Sequence, residues 1–225
     1  MPDRKKSAPG NCIRRALRLE DFANDGARIF PMDNKTLKAD IRKARLAARD
    51  RIGAEERIEK SLDMAEHGED TIVFEPGAMI AGFLPIRSEA DIRPLMARLK
   101  ARGCRLCLPV VLDRETIVFR ELVAGAPLVD TGFGTAGPGP EAAIVDPDLM
   151  LVPLSAFDDY GHRIGYGAGH YDRAIERLRK KGQSPRLIGI AFDIQKVDRV
   201  PAEPHDVALD GVLTESGLVT FERVG

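Results

Sequence analysis

The chain has no tryptophan, three tyrosines and three cysteines in 225 residues, and its formal net charge is −1. A nucleic-acid binder needs a basic excess for phosphates and aromatic faces for bases, so that class is disfavoured. No apolar run approaches the roughly 18 residues of a membrane span. The cysteines Cys12, Cys104 and Cys107 are too few, and odd in number, for a disulfide framework. They fit a reducing compartment, and a cytoplasmic protein is expected. Cys104 and Cys107 form a lone C-x-x-C beside an apolar run and read as buried thiols. There is no G-x-x-x-x-G-K-[ST] phosphate loop and no G-x-S-x-G nucleophile elbow. The four histidines show no i,i+4 metal pairing.

What remains is an ordinary globular composition, 44 % apolar, enough for a sizeable core. Residues 1–33 mix charge, proline and glycine with no apolar signal core and with acids that a transit peptide avoids. They are expected to form a flexible or draped extension ahead of a single domain spanning 34–225. From Lys35 to about His67 the pattern is helical, with a break at Gly53-Ala54-Glu55-Glu56. Leu37, Ile41, Ala44, Ala48 and Ile52 make an apolar stripe, and Lys38, Arg42, Arg45 and Arg49 make a basic one beside it. Such a stripe is ordinarily a solvated face, and an anion-binding role is the alternative.

Further along, the period changes to short apolar runs bounded by proline and glycine. Strands are expected at 71–74, 79–84, 106–112, 116–119, 149–153, 187–192 and 211–214. Helices are expected at 90–102 and 171–181, each closed by a glycine, and a long loop at 124–147. Alternating strands and helices imply an α/β fold, a three-layer α/β/α sandwich with a largely parallel sheet.

The chemistry concentrates between the 149–153 strand and the following helix. Gly165, Gly167 and Gly169 alternate immediately before the helix, with Arg163 upstream and Asp172 in the first turn. Glycine at every second residue clears side chains so that backbone N–H groups converge on an anion. The helix adds free N–H groups and the positive end of its dipole. Arg163 offers a charge-assisted fork for phosphate, and Asp172 complements the dipole or holds Mg²⁺ beside phosphates. The bland alternative is a glycine turn followed by a helix-start acid. The dinucleotide fingerprint fails because His170 stands where its third glycine belongs.

The phrase LVPLSAFDDYGHRIGYGAGHYDR, residues 151–173, resembles the signature of the 5-formyltetrahydrofolate cyclo-ligase family. The likeness extends from about Lys35 to Thr214. Lys38-Ala-Asp-Ile-Arg42 is similar to the family's K-x-x-x-R, whose cations contact ATP. The resemblance implies that Lys38, Arg42, Arg163 and the stretch Gly165, Tyr166, Gly167, Ala168, Gly169, His170, Tyr171 and Asp172 bind ATP. Arg45 and Arg49 stay solvated on this reading. Phe83-Leu-Pro-Ile-Arg-Ser-Glu89 looks like the segment whose glutamate binds the pterin, and Glu89 could equally be a helix-start acid. Phe133, in a loop resembling the family's, would pack on the folate, with Tyr171 helping to position it. Pro204-His205-Asp206 is similar to a motif whose aspartate assists the metal, so Asp172 and Asp206 would share Mg²⁺. The implied catalytic residues are Arg163 and Asp172.

The family reaction phosphorylates the formyl oxygen with ATP, and N10 then closes the ring as phosphate leaves. Such chemistry needs positioning and charge neutralisation more than a protein nucleophile. Thr135, Gly137, Leu122 and His170 depart from the family's pattern, all near the expected folate. The alternatives are a paralogue acting on another formylated or amide-bearing heterocycle, and a non-catalytic nucleotide- or folate-binding protein. The expected partners are folate and ATP, with neither nucleic acid nor membrane, and the expected state is a monomer or weak dimer.

Overall fold

The computed structural model describes residues 33–132, 135–203 and 206–221. The proposed N-terminal extension, Cys12, Phe133, Pro204 and His205 lie outside the described residues. Two helices open the domain, α1 (Asn34–Arg49) and α2 (Ala54–Thr71). Asp33 caps the first by accepting from the Thr36 N–H at 2.6 Å, and Gly53 divides the pair as its position predicts. Then follow β1 (Met79–Ala81), α3 (Arg93–Ala101), β2 (Arg105–Val111) and β3 (Ile117–Glu121). A hairpin of β4 (Leu128–Gly132) and β5 (Thr135–Pro138) precedes β6 (Ile144–Val145) and β7 (Leu149–Pro153). A small ribbon, β8 (Ala156–Phe157) and β9 (Arg163–Ile164), leads into α4 (His170–Lys180). The chain continues with β10 (Arg186–Ile190), β11 (Gly211–Thr214) and β12 (Gly217–Thr220).

Eight strands form one sheet in the order β12-β11-β10-β7-β1-β2-β3-β6. The five central strands pair in parallel and the edges are antiparallel. Side-chain alternation along the strands sends successive residues to opposite faces. Ile80, Leu106, Leu108, Leu149, Leu151, Ile188 and Leu213 pack against Met64, Leu95 and Leu99 of α2 and α3. Met79, Cys107, Met150, Val152, Leu187 and Val212 pack against Ala174, Ile175 and Leu178 of α4. The two apolar clusters are the two interfaces of an α/β/α sandwich, the fold class expected from the sequence.

Several local expectations need correction. Residues 72–74 form no strand, because α2 runs on to Thr71, whose hydroxyl bonds back to the His67 carbonyl at 2.6 Å. Ile72 is fully buried there without a strand partner. The 79–84 strand stops at Ala81, and the 90–102 helix begins only at Arg93, with Pro94 in its first turn. The 124–147 loop contains the β4–β5 hairpin and β6, whose short glycine-rich strands carry too little apolar alternation to be read. The hairpin partner β12 follows the same pattern.

One topological feature positions the site. From β1 the chain moves to β2 on one side, and later returns to β7 on the other. The segments leaving the carboxyl ends of β1 and β7 therefore diverge, opening the crevice where α/β sheets bind ligands. The segment after β1 carries Glu89, and the segment after β7 carries the glycine bend.

Candidate functional site

The glycine bend adopts the geometry its composition allows. Gly167 has φ 99° and Gly169 φ 67°, both in the left-handed region that an L side chain rarely enters. Gly169 is the N-cap of α4, and the first intrahelical bond runs from Arg173 N–H to the Gly169 carbonyl at 3.2 Å. The N–H groups ahead of that bond have no acceptor inside the helix. The Arg42 side chain holds the bend from α1, donating Nε to the Gly165 carbonyl at 2.7 Å and lying against Gly167. Arg173 ties the other end, donating Nη2 to the Ala168 carbonyl at 2.7 Å.

Arg163 is 8 % exposed. Its Nη2 donates to Asp172 Oδ1 at 2.6 Å and its Nη1 to the Val207 carbonyl. Lys38 Nζ donates to Asp206 Oδ2 at 2.6 Å and Glu203 Oε2 at 2.7 Å. Desolvation pulls the Lys38 ammonium down, but those two carboxylates outweigh it and its pKa lies above the ordinary value.

The basic stripe of α1 faces the protein, contrary to the solvated reading of Arg45 and Arg49. Arg45 is half-buried and donates to the Ile194 carbonyl at 3.2 Å, while Arg49 is 2 % exposed. Ala44 of the apolar stripe is exposed instead. The physical reason is that each of these guanidiniums finds oxygen acceptors on facing segments, which makes their burial tolerable.

Glu89 is not a helix-start acid, since α3 begins four residues later. It is 9 % exposed, and its Oε2 accepts from the Ile86 N–H at 2.9 Å. Burial pushes its carboxyl above the usual carboxylate range, and hydrogen bonds from Tyr166 and Ile86 and the charge of Arg49 only partly offset that. The exposed Arg87, at φ 54°, turns the chain so that Ser88 and Glu89 are buried. Burial likewise pushes the Tyr171 phenol and the Cys107 thiol up, which leaves Cys107 an inert core thiol.

Two cavities adjoin in this region. One, of about 310 Å³, is mostly apolar and is lined by Phe83, Leu84, Leu108, Val111, Thr135, Tyr166, His170 and Tyr171, with Glu89 in its wall. The other, of about 540 Å³, is lined by Lys38, Arg42, Gly167, Arg173, Glu176, Arg179 and Asp206. Arg163, Gly165, Gly169 and Asp172 line both. The structure thus brings together Lys38, Arg42, Arg163, the bend, Asp172 and Asp206, with Glu89 and Tyr171 next door. His170 is turned to the Arg114 carbonyl at 2.9 Å rather than to other ligating groups. Sequence reasoning missed Arg179, whose signal was its i,i+7 spacing from Asp172, and Arg173 and Glu203, which had none.

Comparison with known proteins fits this geometry. Residues 34–215 match the model of the 5-formyltetrahydrofolate cyclo-ligase family. The chain belongs to that family. The match covers the whole described domain except its last strand. A 5-formyltetrahydrofolate cyclo-ligase of Mycolicibacterium smegmatis is 34 % identical over 154 residues, covering 64 % of this chain and 78 % of the relative. That of Escherichia coli K12 is 33 % identical over 143 residues, covering 61 % and 78 %. Among solved structures, the 5,10-methenyltetrahydrofolate synthetase of Aquifex aeolicus superposes with a TM-score of 0.71 at 29 % identity, covering 84 % of this chain and 94 % of that one. Family membership makes the chain a ligase of folate one-carbon metabolism. No helix among the described residues is long and apolar enough to cross a membrane.

Proposed function

We propose that this enzyme uses Mg·ATP to convert 5-formyltetrahydrofolate into 5,10-methenyltetrahydrofolate, ADP and phosphate. The observation that carries this reading is the shared wall of the two cavities. An apolar pocket ending in a buried carboxylate suits a flat heterocycle with adjacent N–H donors, and Glu89 would accept them. A cationic pocket at a glycine bend and helix N-terminus suits a polyphosphate. Arg163 and Asp172 stand between the two, where a phosphoryl group would pass from nucleotide to substrate.

The bonds balance without a protein nucleophile. The formyl oxygen forms a bond to the γ-phosphorus as the bond to ADP breaks. N10 then attacks the activated carbon, the N10 proton is released, and phosphate departs with the former formyl oxygen. Arg163, with Lys38 and Arg42, neutralises the charge on the transferred group. Glu89 and Tyr171 hold the acceptor in line, and Phe133, outside the described residues, would complete the folate pocket.

A divalent ion fits the donor set. Among the described residues no three metal-ligating side chains converge, yet Asp172 and Asp206 line one cavity. Mg²⁺ takes one or two carboxylates and fills its octahedron with phosphate oxygens and water, so these two residues would hold it. When bound, it would supply positive charge to the phosphates. A monomer or weak dimer acting in the cytoplasm on these small molecules completes the proposal.

The test is to mix purified protein with 5-formyltetrahydrofolate and MgATP and follow the methenyl chromophore. Its appearance, dependent on both ATP and Mg²⁺, supports the reading. ATP binding with no methenyl product would replace it with a paralogue that acts on another formylated heterocycle.

A further inference from the structure

A hydrogen-bonded chain crosses from α1 to both pockets. Arg49, buried in the last turn of α1, donates Nε to Ser88 Oγ at 3.0 Å and Nη1 to the Tyr166 hydroxyl at 2.7 Å. Ser88 in turn donates to Asp50 Oδ1, which fixes the hydroxyl that Arg49 binds. Tyr166 stands between Gly165 and Gly167 and lines the apolar cavity together with Glu89, the residue after Ser88.

The direction of these bonds follows from the groups involved. A guanidinium only donates. The Tyr166 phenol and the Ser88 hydroxyl therefore both accept from Arg49, and burial makes either bond expensive to lose. One end of this chain is Tyr166 of the nucleotide bend, and the other is Ser88, next in sequence to the carboxylate of the apolar pocket. Neither the K-x-x-x-R pair nor the glycine spacing contains Arg49.

We propose that Arg49 is a positioning residue acting through Tyr166 and Ser88, and that the Tyr166–Arg49–Ser88 chain makes ligand binding in the two pockets mutually reinforcing. The proposal rests on the reading of those pockets as folate and nucleotide sites. Phosphates seated on the bend fix the backbone at Gly165 and Gly167, and with it the Tyr166 side chain. A fixed Tyr166 hydroxyl holds the Arg49 guanidinium, and Arg49 through Ser88 holds the backbone that presents Glu89 to the heterocycle. By linkage, a folate held by Glu89 steadies the bend for the nucleotide to the same extent.

The experiment measures the affinity of 5-formyltetrahydrofolate with and without a saturating non-hydrolysable Mg·ATP analogue. It uses the wild type, Tyr166→Phe and Arg49→Gln, each checked by thermal melting. In the wild type the analogue should tighten folate binding about fivefold or more, the usual lower range for coupled sites. Both variants should bring that ratio to roughly twofold or less. A merely structural role would weaken both ligands and leave the ratio intact, and that result overturns the proposal. So does a wild-type ratio near one. If Arg49→Gln fails to fold, Tyr166→Phe, which deletes one hydroxyl and keeps the ring, decides alone. Failure of the wild type to bind the folate at all overturns the pocket assignment and the coupling with it, and is distinguishable from two ligands binding independently.

Discussion

Arg163 and Asp172 meet at 2.6 Å at the junction of an apolar and a cationic cavity. They lie nine positions apart in the chain, on either side of the glycine bend, so the pair also closes the bend. On the proposed reading they neutralise each other until a phosphoryl group and its cation arrive to divide them.

Asp172→Asn keeps the shape and one acceptor oxygen but removes the charge. Turnover should fall roughly tenfold or more, with little change in melting temperature, because the stabilisation lost acts where charge develops. Arg163→Lys should fall comparably, since a lysine cannot reproduce a fork that serves Asp172 and Val207 together. Steady-state kinetics of both variants at wild-type rates would remove these residues from the catalytic set.

Lys38→Met leaves Glu203 and Asp206 without their shared cation beside the proposed phosphate pocket. Its KM for ATP should rise about tenfold or more, as removal of one charge-assisted contact implies. Lys43→Met, on the exposed face of the same helix, is the control and should match the wild type. Equal effects from the two would reduce Lys38 to general surface charge.

Gly167→Ala puts a side chain on a residue at φ 99° and against the Arg42 guanidinium. Left-handed backbone costs an L residue about 1–2 kcal/mol, so the bend should shift. Nucleotide affinity measured by calorimetry should drop. An unchanged value would mean the phosphates do not sit on this backbone.

Glu89 yields a pH signature. Burial, its largest influence, raises the carboxyl pKa in the folded protein. The folded state then holds the proton more firmly than the unfolded chain does. Ionisation weakens the fold as pH rises from the ordinary value of about 4.3 through the raised one. Glu89→Gln never ionises and escapes this loss. It should melt higher than the wild type at neutral pH, with the gap closing below the ordinary carboxylate range, while folate turnover collapses. A gap of the same size at both pH values would refute the raised pKa.

Arg45→Ala should change stability by less than about 0.5 kcal/mol and leave turnover unaltered, because its one backbone contact lies at a partly exposed surface. A large kinetic effect, read by the same assay, would add Arg45 to the functional residues of the stripe.

The parallel core and α4 were legible because their apolar periods are strong and glycines punctuate them. Gly165, Gly167 and Gly169 with Asp172 could be read as an anion bend from spacing alone. Glu89 and Asp206 became candidates only through the family resemblance, since a single acid carries no periodic signal. The β4–β5 hairpin escaped because its strands are short, glycine-rich and largely exposed. Arg49 was misread for a different reason. Its burial depends on Ser88 and Tyr166, 39 and 117 positions away, and no local pattern announces such partners.

Because α1 turns its arginines and Lys38 inward, much of its hold on the rest of the domain is ionic and polar rather than oily. Concentrated salt, which weakens charge pairs and strengthens apolar burial, would loosen this first helix before it loosened the sheet. The proposed nucleotide side of the molecule is in that sense a clasp fastened by charges onto a greasy frame.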